Sequence, residues 1–321
     1  MSGQATQVQR LEIQVESGLG RIRLDDYLFG RFGSLSRMYL RDLVKTNQVL
    51  VNGEYSNVGI RLRANDFIEI VVDMSRGTSM RPENISLDVV YEDNAIIVVN
   101  KPAGMLVHPT HRDKNGTLLN ALTYYLNTKS LPQSRGDAEK EEKSHLKFAG
   151  DAREIKSVVR PGLVHRLDKE TSGLMVMAKS VDVHRKLTRE FMKKRVEKQY
   201  VALVDGVISS DEGTIEAPIG RYAEKKVWDV KDDGKISISR YRVLERHDDT
   251  TLVELEPVTG RTNQLRIHCA SIGHPIVGDV QRGGRTFTRL CLHARRLSFR
   301  HPITNDSVTF ESVVPTEFNR N

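Results

Sequence analysis

The chain has 321 residues, 49 Lys and Arg against 42 Asp and Glu, a formal charge of +7, 38% apolar residues and two cysteines. That length suits two domains of ordinary size, each with a core of its own. No run nears the roughly 18 apolar residues of a membrane span, the N-terminal stretch lacks a signal-peptide apolar core, and Cys269 and Cys291 alone make no disulfide framework. A disulfide-stapled secreted protein is excluded, and a soluble, cytoplasmic chain with no membrane partner is expected.

In chain order, Leu24 to Phe32 and Ser36 to Thr46 predict two short helices, the second opened by Ser36 as N-cap. VLV running into Asn52-Gly53 predicts a hairpin, and RANDFIEIVV supplies a further strand. Residues 74–86 lack hydrophobic periodicity and carry Gly, Pro, Ser and Asn, so a linker is placed there, between a small unit of residues 1–73 and a larger one of 87–321. LDVVYED and AIIVVNKP then predict two strands around an Asp93-Asn94 turn, and Leu118, Leu122 and Leu126 recur at helical spacing. Residues 129–160, with the run EKEEK, predict an exposed insertion, part of it disordered.

GLVHRLD and GLMVMAKS predict two strands joined by a polar turn. A helix follows from about Asp182 to Lys194, with Val183, Leu187 and Phe191 on its inward stripe. The strands EKQYVALVDG, ISISRYRVLER and TTLVELEPV lead to a helix near Thr262 to Ile272. Single helices interrupting strands, without regular alternation, argue an α+β fold with a mixed central β-sheet and flanking helices, preceded by a small α/β module.

Two constellations carry chemistry. Arg37, Arg41 and Lys45 stand at i, i+4 and i+8, a cationic face able to track phosphates or simply to meet solvent. The surrounding segment, RIRLDDYLFGRFGSLSRMYLRDLVKTNQVLVNGEYSNVGIRLRANDFIEI, resembles the small RNA-binding module first known from a small-subunit ribosomal protein, over residues 21–72. The resemblance implies RNA contact by this helix face, although residues 1–73 carry nine basic and nine acidic side chains and are neutral overall.

The second constellation is HRLDKETSGL. Asp168 sits between two apolar runs, where a rigid sheet can present a carboxylate that is ionised at neutral pH. Arg166 lies on the same face if the segment is extended; a structural ion pair is the plainer reading of R-x-D. A protein-kinase loop is excluded, because the downstream Asn and the Asp-Phe-Gly element are missing, and no phosphate loop or GxGxxG follows a strand. His108, His111, His268, His274, His293, Cys269 and Cys291 match no familiar ligand spacing, so no metal is expected.

The string HRLDKETSGL resembles the signature of the RluA/RluD family of pseudouridine synthases. Four further stretches agree in order: YEDNAIIVVNKPAGMLVHP, EKQYVALVDG, GRTNQLRIHCASIGHPIVGD and CLHARRLSF. The resemblance implies the pseudouridine synthase fold and isomerisation of uridine in structured RNA without a cofactor. Asp168 would be the nucleophile, toward sugar or base. Tyr200 would pack on the target base and assist proton removal, and Arg266 would pair with Asp168. On physical grounds a cation such as Arg166 could fill the space the extruded base vacates or hold the displaced strand.

The family usually has His where this chain has Asn263. With its attached module the chain resembles the branch of the family that acts on large-subunit ribosomal RNA; transfer RNA, or an inactive assembly factor on the same scaffold, are the alternatives, and a monomer is the default. Residues 179–198 hold eight Lys or Arg against three acids, and 281–301 hold six Arg and no acid; both stretches are expected to flank the site.

Overall fold

The computed structural model describes residues 8–17, 21–32, 35–74, 81–110, 112–128, 161–224 and 227–318. The expected insertion at 129–160 and the middle of the linker lie outside them. The chain divides into two compact units, one of Met1–Glu83, His111–Asn115 and Thr123–Val159, and the other of Asn84–Thr110, Gly116–Leu122 and Arg160–Asn321.

The first unit runs β1 (Val8–Gln14), β2 (Ile22–Arg23), α1 (Leu24–Arg31), α2 (Arg37–Lys45), β3 (Val49–Val51), β4 (Glu54–Tyr55), β5 (Arg61–Leu62) and β6 (Phe67–Asp73). Ser36 caps α2 by accepting from the Tyr39 amide at 3.1 Å, as its position before the apolar period predicts. Asn52 and Gly53 both adopt positive φ, which closes the β3–β4 hairpin. β6 alternates buried and open positions, and Ile68 and Ile70 meet Leu24, Leu28, Leu40 and Val44 in one core. The strand β1, which the sequence reading did not anticipate, pairs antiparallel with β6 in a sheet of order β1-β6-β3-β4.

Past Glu83 the chain continues with β7 (Asp88–Glu92), β8 (Ile96–Lys101), α3 (Leu118–Thr128), whose residues from Thr123 on are counted with the first unit, β9 (Gly162–Leu163), β10 (Ser172–Ala178), α4 (Val181–Met192) and β11 (Glu197–Asp205). It is completed by β12 (Glu212–Tyr222), β13 (Val227–Val230), β14 (Lys235–Arg246), β15 (Thr250–Pro257), α5 (Gln264–Ser271), β16 (Leu292–Arg300) and β17 (Ser307–Glu311). Asp93 makes the β7–β8 turn by accepting from the Ala95 and Ile96 amides, both at 2.7 Å.

Eleven strands form one sheet with the path β13-β12-β14-β15-β11-β16-β10-β8-β7; β17 adds to β16 and β9 to β10. Among the described residues β10–β16 is its parallel pair, and the other ladders are antiparallel. The sheet is therefore mixed, in keeping with the α+β class. Every residue of β10 is buried, which is why SGLMVMA lacks alternation. One cluster packs Val183 and Leu187 of α4 with Leu174 and Val176, and another packs Leu265 and Cys269 of α5 with Val201 and Leu203.

The structure corrects the reading of GLVHRLD. The strand there is two residues long, and His165 to Glu170 leave the ladder. After the Gly162↔Ala178 and Leu163↔Met177 pairs, the Val176 amide donates to His165 Nε2 at 3.1 Å. A side chain thus takes the donor that the next strand residue would have used, and the backbone is free to turn outward.

Candidate functional site

The loop released in this way carries Asp168, and three anchors hold it. Leu167 is buried, the Thr171 amide donates to the Asp168 carbonyl at 3.2 Å, and the Lys101 ammonium donates to the Lys169 carbonyl at 3.0 Å. Lys101 comes from the end of β8 and is wholly buried; it also donates to the Pro102 and Met105 carbonyls at 2.8 and 2.9 Å. One cation therefore ties the KPAGM turn to the residue after Asp168. Burial lowers its pKa to about 8. His165 is held by its bond from Val176 and by stacking on Phe191, ring centroids 4.7 Å apart; burial, with Lys198 nearby, lowers its pKa to about 3 and keeps the ring neutral.

Asp168 lines a cleft of about 580 Å³, a volume suited to a small ligand or a single nucleotide unit. Its walls come from the Asp168 loop, the end of α4, the start of β11, and the segment from Glu256 to Arg266. Tyr200 enters from β11 at a bulge between Gln199 and Tyr200 in the pairing with β16, a device that re-aims a side chain. Burial, with a smaller contribution from the Asp168 charge, raises the Tyr200 pKa, so its hydroxyl stays protonated at neutral pH.

The Asp168 carboxylate makes no hydrogen bond or ion pair with the described side chains. Burial raises its pKa, while Arg266, Arg166 and Lys101 pull against that shift. Arg166, Lys194, Lys198 and Arg261 also line the cleft, and none of them is ion-paired among the described residues.

Arg266 is not the direct partner of Asp168 that the sequence reading expected. From α5 it grips Asp279, Nε donating to Oδ2 at 2.7 Å and Nη2 to Oδ1 at 2.6 Å. The Asp279 side chain is 1% exposed, and a buried carboxylate needs a close counter-charge more than the half-open Asp168 does. Arg266 therefore reaches Asp168 as a field rather than as a contact. Burial lowers the Arg266 pKa, but its bonds to Asp279 outweigh this and the net shift is upward.

Asn263, the departure from the family pattern, stands at the N-cap of α5 with φ of 55°, a left-handed conformation that Asn tolerates better than most residues. Its neighbour Gln264 fixes this corner. It accepts from the Thr259 hydroxyl and the Arg261 amide, and it donates to the Ile238 carbonyl and the Ser239 hydroxyl.

In the first unit, the α2 cations are only partly free. Arg37 pairs with Asp26 at 2.7 Å and lies over the Phe29 ring, and Arg41 is 3.7 Å from Asp25, whereas Lys45 is exposed and carries no ion pair among the described residues. No arginine of the basic stretch at 281–301 lines the cleft, although the Asp168 charge reaches Arg282. Arg282 pairs with Asp229, Arg285 with Asp205 and Asp249, and Arg296 with Glu311, while Arg289 donates to the Ser172 hydroxyl. Of that stretch, Leu292 lines the cleft.

Sequence reasoning missed Lys101, His165, Gln264 and Asp279. A lysine ending the apolar run AIIVVN was a signal for the first; the others depend on contacts between distant segments. Among the described residues no group of three or more His, Cys, Asp or Glu side chains is placed to hold a metal, and no helix is long and apolar enough to cross a membrane.

Residues 95–271 match the RNA pseudouridylate synthase family, and the chain belongs to it. It is 36% identical over 325 residues to the ribosomal large subunit pseudouridine synthase D of Pasteurella multocida, covering 96% of this chain and 91% of that one. It is 37% identical over 299 residues to YlyB of Bacillus subtilis, an uncharacterized RNA pseudouridine synthase, covering 92% of this chain and 91% of that one. Among solved structures it resembles human RNA pseudouridylate synthase domain containing 1, with a TM-score of 0.55 and 26% identity over 76% of this chain and 88% of that one.

Proposed function

We propose that the protein isomerises uridine to pseudouridine in large-subunit ribosomal RNA, with Asp168 as the nucleophile. The observation that carries the assignment is a half-buried carboxylate on a pinned loop, unpartnered by any described side chain, in a cleft also lined by Arg166, Lys194, Lys198 and Arg261, which carry no ion pair among the described residues. The uracil leaves the stack and enters the cleft, where Asp168 adds to sugar or base and the bond between N1 and the ribose breaks. The ring turns, carbon five bonds to the sugar, the bond to Asp168 breaks to return the free carboxylate, and carbon five loses its proton while the freed N1 gains one. Tyr200 offers its ring as a platform for the base and assists removal of that proton. Arg266, steadied by Asp279, stabilises the Asp168 carboxylate through its charge, and Arg166 holds the displaced RNA. No cofactor is required.

Residues 1–73 act in this reading as an RNA-binding module, joined by the linker 74–86 to a catalytic domain of 87–321. Within the module Lys45 is the freest of the α2 cations, and Arg37 and Arg41 meet phosphate on sides not taken by Asp26 and Asp25. The ribosomal assignment rests on relatives named for the large subunit, such as that of Pasteurella multocida. A monomer working in the cytoplasm completes the proposal, and light scattering tests the first part of it.

The deciding experiment maps pseudouridines in total RNA by carbodiimide-dependent primer stops, in cells carrying the wild-type chain, none, or Asp168→Asn. A large-subunit stop that vanishes without the protein and stays absent with Asp168→Asn is expected, while RNA binding by the variant persists. Full activity of the variant refutes the nucleophile, and loss confined to transfer RNA refutes the ribosomal substrate.

A further inference from the structure

We propose that the outward face of α4 is a docking track for the single-stranded RNA segment next to the uridine held in the cleft. The inference rests on the isomerase reading and extends it from the reacting nucleotide to its neighbours. A groove lined by Arg185, Arg189, Met192 and Lys193 runs along this helix, and Met192 also lines the Asp168 cleft. The two depressions therefore adjoin at the end of α4, with Phe191 and Lys194 on the cleft side.

The chemistry of the face suits a nucleic acid strand. Arg185, Arg189 and Lys193 recur every four residues, so their side chains follow one another along the helix about 6 Å apart, a spacing that one strand can meet with successive phosphates. Arg189 and Lys193 are exposed and carry no ion pair among the described residues. Arg185 reaches Asp182 at 3.1 Å, but both side chains are well exposed, and such a pair yields readily to phosphate.

Met192, 79% exposed between these cations, offers a soft apolar contact for a base. A helix C-terminus by itself repels anions; Lys193 and Lys194 reverse that sign where the groove meets the cleft. One apolar side chain set among cations does not make the continuous apolar stripe that a helical protein partner would need. Residues 281–301 offer a contrast, since Arg282 and Arg285 there are held by Asp229, Asp205 and Asp249, and Arg289 by the Ser172 hydroxyl.

The test compares the full-length wild type with Arg189→Glu/Lys193→Glu and with the charge-neutral Arg189→Gln/Lys193→Gln. Two RNAs are used: a ribosomal transcript retaining single-stranded nucleotides beside the target, and the same RNA trimmed to the target stem-loop. Tritium release from carbon five gives kcat and KM, and filter binding gives Kd across a salt series. The reversed pair is expected to raise KM and Kd for the longer RNA about tenfold, to leave its kcat unchanged, and to flatten the slope of log affinity against log salt by about 1.4, the value for two phosphate contacts on a single strand. The Gln pair falls between, the trimmed RNA is hardly affected, and the melting temperature stays at that of the wild type.

Unchanged KM, Kd and salt slope overturn the track, as does an equal loss on both RNAs. A wild type that binds RNA but converts none refutes the isomerase reading, and the track is then judged on Kd alone. A wild type that neither binds nor converts refutes both.

Discussion

Replacing Asp279 by Asn separates the two tasks of Arg266. The Asp279→Asn side chain keeps the shape of the carboxylate but offers one acceptor oxygen in place of two, and turns an NH2 toward a guanidinium that only donates. At least one of the bonds now at 2.6 and 2.7 Å is lost, together with the charge. Removing one partner of a buried pair costs about 3–5 kcal/mol. With Arg266 13% exposed and facing the open cleft, the guanidinium recovers some solvation, which places the expected loss near 3 kcal/mol.

The same substitution acts on the carboxylate across the cleft. Asp279 raises the Asp168 pKa, whereas Arg266 lowers it. Without Asp279 the arginine charge is no longer offset, so Asp168 becomes more acidic. The acid limb of single-turnover pseudouridine formation must then move to lower pH, although the protein is less stable. Urea unfolding at pH 7 measures the stability change, and a pH series on protein that the same signal shows to be folded measures the limb. A variant within about 1 kcal/mol of the parent, or a limb that stays put or moves up, refutes the argument.

Two further outcomes follow from the ground on which the Asp168 loop stands. Gly173 has φ of 117°, and a methyl group there would strike the Ala294 backbone across the β10–β16 pair. Gly173→Ala should cost roughly 2–5 kcal/mol from strain and overpacking together, read as a lower urea midpoint with an unchanged m-value. His293 lies between the Ser172 and Ser312 hydroxyls, at 2.8 and 2.7 Å, and burial lowers its pKa to about 4. Below the ordinary histidine pKa the unfolded chain takes up a proton that the folded chain refuses. This group by itself therefore lowers stability by roughly 3 kcal/mol as the pH drops from about 6.5 toward 4, His165 acting in the same direction, and His293→Gln should remove its share of that slope in the urea midpoint against pH.

The features legible in the sequence are those decided locally. Ser36 before an apolar period, Asn52-Gly53 between two apolar runs, and Asp93 ahead of AIIVV each act through bonds to residues at most a few positions away, and each element stands where it was expected. β1 was missed because VQRLEIQ leaves most of its side chains open and gains its ladder only from β6, more than fifty residues on. β12 was missed because EGTIEAPIGRY is interrupted by Gly and Pro, and its long pairing with β14 overrides that weak local preference. The HRLD segment reads as strand in sequence because its apolar ends are strand-like. What releases it is the imidazole of His165 on Val176 and the ammonium of Lys101 on Lys169, two side-chain bonds that no periodicity encodes.

The same limit governs charge. Arg266 and Arg285 cannot be told from Arg166 and Arg189 by spacing or by sequence neighbourhood, yet they do different work. The first two face carboxylates brought from other parts of the chain, so their charge is already answered within the fold. The second two face none among the described residues, and so do Lys194 and Lys198, although all four lie in or beside the cleft. Cations gathered at one opening repel one another, and the pKa of the half-buried Lys198 ammonium is lowered by burial and by Lys194 beside it. Such a cluster raises the energy of the free protein and returns that energy only when anions enter. Binding driven in this way must weaken steeply with added salt, whereas the stability of the internally paired sheet should scarcely respond. Affinity and stability measured over one salt series thus separate the cations that build the fold from those that wait for a polyanion.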